Sequence, residues 1–277
     1  GDGRFVAFHS ARNFQASLPV SARPIDDDDN AANDIYVYDL DTQPTPPTER
    51  VSRDSNGVEG RSDSYSASLS NDGRWVAFYS VVDSFASDDN NQARDVFVKD
   101  RQTGAIERVS VSSAGLEGDD ESQQAMISGN GQYVVFRSRA SNLVAGDDNR
   151  QWDIFVRDRS AGTTERVSVS SQGEQANHGS FSPDISDDGR YVVFRSNASN
   201  LVPGDSNQRF DIFVHDRSSG ATARVSTSAS GEQANGHSYR PAISGDGNWI
   251  VFESDATNLV AGDTNRARDI FRVANPL

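Results

Sequence analysis

"DGRYVVF", Asp188 to Phe194, has four relatives in the same chain: DGRFVAF from Asp2, DGRWVAF from Asp72, NGQYVVF from Asn130 and DGNWIVF from Asp246. Their glycines, Gly3, Gly73, Gly131, Gly189 and Gly247, are spaced by 70, 58, 58 and 58 residues. In each copy a glycine able to take positive φ closes a tight turn, and a strand with alternating apolar residues follows. The unit from Pro183 to Ser226 reads as four short strands: PDIS, RYVVFRS, DIFVHDR and TARVSTS. Tight turns join the first pair and the last pair. Long loops, NASNLVPGDSNQRF and ASGEQANGHSYR, make the other connections. Such a unit at a fixed period is somewhat longer than the ~40–50 residues of known blade repeats, and it predicts a propeller.

The expectation is an all-β chain: a five-bladed β-propeller of four-stranded antiparallel blades, forming a single domain over residues 1–277. The repeats fall at approximately 1–64, 65–122, 123–180, 181–238 and 239–277. The first repeat starts at its second strand and the last stops after its third. Eighteen strands are therefore expected where five full blades need twenty. A strand pair from upstream sequence or from a partner chain would fill both gaps and remove open edges.

The Pro-x-Ile-Ser-x-Asp-Gly-Arg run at Pro183 to Arg190 and the Asp-Ile-Phe-Val strand at Asp211 to Val214 resemble the repeats of TolB-type (WD-like) β-propellers. The resemblance covers nearly the whole chain and is specific for fold. It implies a propeller of the kind that serves as a protein-interaction module or, in some relatives, as a gating domain beside a peptidase. It implies little about activity, because one fold hosts many functions.

The 277 residues carry a formal charge of −15 and contain no cysteine. The acidic surface disfavours nucleic acid and anionic membrane, and attracts cations. Thiolate metal sites and disulfides are excluded. No apolar run reaches the roughly 20 residues of a membrane helix, so no membrane insertion is expected. No leader is visible and the first residue is Gly, which reads as a trimmed piece of a longer secreted bacterial protein, extracellular or periplasmic.

On the long-loop face an acidic motif, Asp-x-Asn-x-x-x-Asp, recurs five times. The copies are Asp28, Asn30 and Asp34; Asp89, Asn91 and Asp95; Asp147, Asn149 and Asp153; Asp205, Asn207 and Asp211; Asp263, Asn265 and Asp269. Oxygen donors at positions 1, 3 and 7 suit Ca²⁺, which takes six to eight oxygens. No Glu follows at position 12, so this is not an EF-hand. The alternative is an Asx-turn, with one Asp capping the loop and the other anchoring the strand. Five bound Ca²⁺ would bring the net charge from −15 to −5.

In the other long loop Ser64, Ser122, Ser180 and Ser238 share one position. They bond neighbouring backbone or, alternatively, ring an axial pocket with hydroxyls. His178 and His237 read as exposed loop residues, His9 and His215 as strand-surface residues, and Phe5, Trp75, Tyr133, Tyr191 and Trp249 as core between blades. Arg50, Arg108, Arg166 and Arg224 precede the fourth strands and are expected to pair with acids. The first repeat carries nine extra residues, with Phe14, Leu18, Pro19 and Val20 as a candidate contact patch.

The function read from these features is non-catalytic binding or assembly, Ca²⁺-stabilised, with a protein or glycan ligand. A lectin is one alternative, weakened because no exposed Trp or Tyr recurs in the long loops. A five-bladed glycoside hydrolase is another. Catalysis needs unique residues converging on one centre. Asp63, Asp119, Glu121 and Asp184 are the unrepeated acids that keep it open.

Overall fold

The chain is described by a computed structural model over residues 3–11, 30, 32–41 and 48–277. It forms five antiparallel sheets in series. The first holds β1 (Phe5–Ala11), β2 (Asn33–Asp39) and β3 (Thr48–Arg50). The second holds β4 (Ser64–Leu69), β5 (Trp75–Ser80), β6 (Asp95–Asp100) and β7 (Ile106–Arg108). The third holds β8 (Ser122–Ile127), β9 (Tyr133–Ser138), β10 (Asp153–Asp158) and β11 (Thr163–Arg166). The fourth holds β12 (Ser180–Ile185), β13 (Tyr191–Ser196), β14 (Asp211–Asp216) and β15 (Ala221–Arg224). The fifth holds β16 (Ser238–Ile243), β17 (Trp249–Ser254) and β18 (Asp269–Ala274).

Each sheet is a meander in chain order, as a propeller blade requires. Among the described residues the strand count matches the expected eighteen. The sole helix there is one 3-10 turn at Asp83–Phe85, and no helix is long and apolar enough to cross a membrane. The extra residues of the first repeat, Phe14, Leu18, Pro19 and Val20 included, lie outside the described residues, as does Asp28.

The second and third strands of every blade pair without a slip, Tyr191 with Asp216 through to Ser196 with Asp211 in blade four. The first strand is longer than PDIS: it begins at Ser180 and breaks register between Phe181 and Asp184. Ser182 there has φ 51°, and Ser66, Gln124 and Arg240 repeat the feature. A bulge at this point twists the inner strand and re-aims the side chains beside it.

The core lies between sheets. Val135, Ile154 and Val156 of blade three meet Val192, Phe194 and Phe213 of blade four. The same positions recur at the other three junctions. Period-2 strands thus bury both faces, one against each neighbour. Phe5, Trp75, Tyr133 and Tyr191 do pack between blades, each over the turn glycine of the next (Gly73, Gly131, Gly189, Gly247). They are half-buried rather than fully enclosed, and arginines cover their outer faces, as Arg190 does Tyr191 at 4.6 Å. Trp249, Val251 and Ile270 on the far side of blade five are 43%, 38% and 78% exposed. His215 is not a surface residue: it is buried and bonded to Thr222 Oγ1 at 2.9 Å.

Candidate functional site

Two kinds of position meet on the long-loop face, constant and blade-specific. The acidic motif is the constant kind. In every blade its Asn closes an Asx-turn: Asn207 Oδ1 accepts the Arg209 amide at 2.8 Å, and Asn91, Asn149, Asn265 and Asn30 do likewise. The Asn207 amide nitrogen donates to Asp211 Oδ2 and to the Ala234 carbonyl of the next loop. The Asn side chains are therefore spent on the turn. The residue after the Asn, Gln208 for example, takes φ 56°.

The last Asp of the motif is a buried anchor. Asp34, Asp95, Asp153 and Asp211 are fully enclosed, and each accepts a serine hydroxyl, from Ser52, Ser110, Ser168 and Ser226, at 2.5–2.6 Å. The arginines expected to pair with acids enter here. Arg108 Nη1 lies 2.6 Å from Glu117, 3.6 Å from Asp95 and 3.9 Å from Asp89. Arg50 pairs with Asp34 and Glu59, Arg166 with Asp147, and Arg224 with Asp205 and Asp211. Asp263 and Asp269 lie in blade five, which has no fourth strand among the described residues and so no such arginine.

Glu117, which the motif did not include, has Glu59 as its counterpart in blade one and separates blade two from blades three and four. Gln175 and Gln233 occupy its place in blades three and four, and Gln175 donates to Asp147 and Asp153. In blade two the oxygens of Asp89, Asp95 and Glu117 lie within 4.8 Å of one another. Asp89 Oδ1 and Asp95 Oδ2 are buried there with no hydrogen-bond donor. Burial pushes both carboxyls up to about 6, and the neighbouring acids add to the rise at Asp89. Burial also raises Asp147, Asp153, Asp205 and Asp211.

The blade-specific kind sits closer to the inner strands. Four columns of the repeat differ between blades two and five. They hold Asp63, Glu121, Gly179 and His237; Tyr65, Gln123, Phe181 and Tyr239; Tyr79, Arg137, Arg195 and Glu253; Arg94, Trp152, Phe210 and Arg268. The fold brings them into one chain of contacts. Tyr65 stacks against Tyr79, Arg94 pairs with Glu121, and Arg137 lies over Trp152 at 4.4 Å. Arg195 lies over Phe210 at 4.9 Å, and Arg268 over Tyr239 at 4.0 Å. His237 is not a free loop residue: its Nδ1 accepts the Phe210 amide at 3.0 Å. Gly179 leaves the space Phe181 occupies, since a Cβ there would stand 2.8 Å from the ring. These columns were legible in the repeats as positions that vary from blade to blade.

Ser64, Ser122, Ser180 and Ser238 are buried and donate to Ser80, Ser138, Ser196 and Ser254, so they tie the first strand of each blade to the second. The unrepeated acids have structural partners too. Asp63 accepts the Asn33 amide, Asp119 holds Ser141, Glu121 pairs with Arg94, and Asp184 accepts the amides of Ile185 and Ile243.

No family model matches the sequence, and no curated protein matches it. Solved structures do. The β-propeller domain of the Trilobed protease from Pyrococcus furiosus is 12% identical with TM-score 0.56, over 100% of this chain and 67% of that one. TolB from Acinetobacter baumannii is 15% identical with TM-score 0.53, over 98% of this chain and 50% of TolB. Oligogalacturonate lyase from Vibrio parahaemolyticus is 15% identical with TM-score 0.52, over 88% and 57%. The chain thus spans half the length of the TolB it matches. At these identities the likeness establishes the fold, a β-propeller of the kind seen in TolB.

Proposed function

We propose that the protein is a non-catalytic binding or assembly propeller, extracellular or periplasmic, whose ligand is a protein held on the blade-specific ring. One observation carries this reading: four columns that vary from blade to blade meet in one continuous chain of contacts. Each of the four columns holds three or four residue types across blades two to five, while the apolar core positions beside them largely repeat. A single asymmetric partner accounts for this, because each blade then meets a different part of it. Asp63, Asp119, Glu121 and Asp184 each have structural partners, which argues against a hydrolytic role for them.

The acidic loops stiffen this face, and Ca²⁺ joins them in blade two, held by Asp89, Asp95 and Glu117. The buried oxygens without donors support that assignment. The outer edge of β18 takes a strand from elsewhere in the protein or from a partner. A cleft beside it, lined by Val225, Thr227, Phe252, Phe271 and Val273, supports this.

Selection from a phage-displayed random peptide library tests the ring. Related peptides should be enriched by the unaltered protein and lost with Trp152→Ala and Phe210→Ala together. No enrichment, or enrichment indifferent to the double variant, overturns the reading.

A further inference from the structure

We infer that Arg137 and Arg195 form a receptor for a side-chain carboxylate on an acidic peptide segment of the partner; this rests on the reading of the ring as a binding surface. The two guanidiniums flank one ring. Arg137 lies 5.6 Å and Arg195 5.3 Å from the centre of Phe181. Both side chains are half-buried, and each has its Nε enclosed with no acceptor. Arg137 donates from Nη2 to Gln123 at 2.7 Å. The Arg195 side chain makes no hydrogen bond or ion pair among the described residues; its neighbours are the rings of Phe181, Phe210 and Tyr239.

That is anomalous in this chain. Acids outnumber bases by 41 to 26, so counter-charge is abundant. Arg74 and Arg190 are clamped by Asp100 and Asp216, and Arg94 by Glu121. Arg157, also half-buried and without an acid, is satisfied by the carbonyls of Ser112 and Gly162 and by Thr164. Arg195 has neither, and Arg137 has only the side-chain oxygen of Gln123. Burial lowers both from the usual arginine range, and the charge of Arg195 lowers Arg137 further. A part-buried cation without a partner is costly unless something completes it.

The chemistry of the missing partner follows from the donors. The Nε–H of each is enclosed, so an incoming planar carboxylate meets the Nη ends, which for Arg195 carry no bond within the chain and can be taken with two parallel bonds. Arg137 lies over Trp152 and Arg195 over Phe210, so aromatic faces support both guanidiniums. Those faces are occupied: Arg137 and Arg139 cover Trp152 at 4.4 and 5.8 Å. They are not free to stack on a sugar ring, which favours a peptide over a uronate. An acidic peptide approaching a −15 protein is repelled overall, so its binding would report a specific site.

The test uses acetylated hexaglutamate amide as the probe, with hexaglutamine, digalacturonate and a phosphoserine peptide beside it. NMR follows the Nε–H resonances of Arg137 and Arg195 in the whole chain. Hexaglutamate should shift both and saturate. Binding should weaken about tenfold or more in Arg195→Gln, and again in Arg195→Lys, which keeps the charge but loses the fork. Arg272→Gln, on the outer face of blade five, should leave it unchanged. No binding, equal binding of hexaglutamine, or tighter binding of digalacturonate or the phosphopeptide overturns the assignment. If the phage selection yields neutral peptides that still need Trp152 and Phe210, the ring stands and the carboxylate receptor falls.

Discussion

Asp184 Oδ2 accepts the amide of Ile243 at 2.9 Å, across the junction between blades four and five. In blade two a serine does the same work: Ser68 Oγ accepts the amide of Ile127 at 3.1 Å. Burial pushes the Asp184 carboxyl up to about 6. The folded chain therefore holds this proton more tightly than the unfolded chain does. The stability it confers is full below the ordinary aspartate range and is lost as pH rises through 6. The loss by pH 7 is roughly 3 kcal/mol for a carboxyl moved that far. Asp184→Ser copies blade two and removes the titration. Denaturant unfolding from pH 4 to 7.5 should show the wild type falling relative to the variant as pH rises. A variant much less stable than wild type at pH 7 would refute this.

Calcium should act at blade two. A hundredfold excess over Kd adds about 2.7 kcal/mol for a ligand bound by the native state alone. Melting in EDTA, then with millimolar Ca²⁺, should show a rise for the wild type. Glu117→Gln gives blade two the glutamine of blades three and four, and should abolish the rise. An increase that survives in Glu117→Gln would place the ion elsewhere, and no increase in either protein would rule calcium out.

Gly247 has φ 74°, and a Cβ there would lie 2.6 Å from the Tyr191 ring. Gly247→Ala combines left-handed strain with a clash in the junction. The expected cost is about 2–4 kcal/mol. Gly262 also has positive φ, but nothing lies within 4 Å of its Cβ position. Gly262→Ala should cost about 1 kcal/mol from strain alone. Equal costs in thermal unfolding would mean that the ring contact contributes nothing.

The free edge of β18 should accept a strand. A synthetic peptide with the sequence from Ala221 to Ser230, which includes β15, supplies what blade five lacks. At saturating concentration it should raise the melting temperature, while a peptide with every second residue replaced by Pro should not, since Pro removes ladder donors. Equal effects of the two peptides would show that the edge does not pair.

The repeat made the blades legible. Period-2 strands, turn glycines and fixed spacing are local signals, and the eighteen strands sit where those signals put them. The inner strand began three residues earlier than PDIS, because a proline inside it masked a bulged start at Ser180. His215 looked exposed from alternation, yet the neighbouring blades cover both faces of its sheet. The acidic motif was visible, but its arginine and Glu117 stand 13 and 22 residues beyond Asp95 and join it through the fold. The ring was hardest to see. Its members are ordinary residues, and their meaning lies in how each column differs from blade to blade.

The central claim is that these columns serve binding and not the fold. Rewriting blade four with the residues of blade three, Gly179→Glu, Phe181→Gln and Phe210→Trp together, tests it most directly. Gly179→Glu is avoided as a lone change, because Phe181 fills the space beside Gly179. The triple variant should keep the five-sheet fold and melt within about 4 °C of wild type, a difference of roughly 1–2 kcal/mol for a chain of this size. It should lose the phage-selected peptides. Unfolding, or retained binding with an unchanged melting temperature, would contradict the claim.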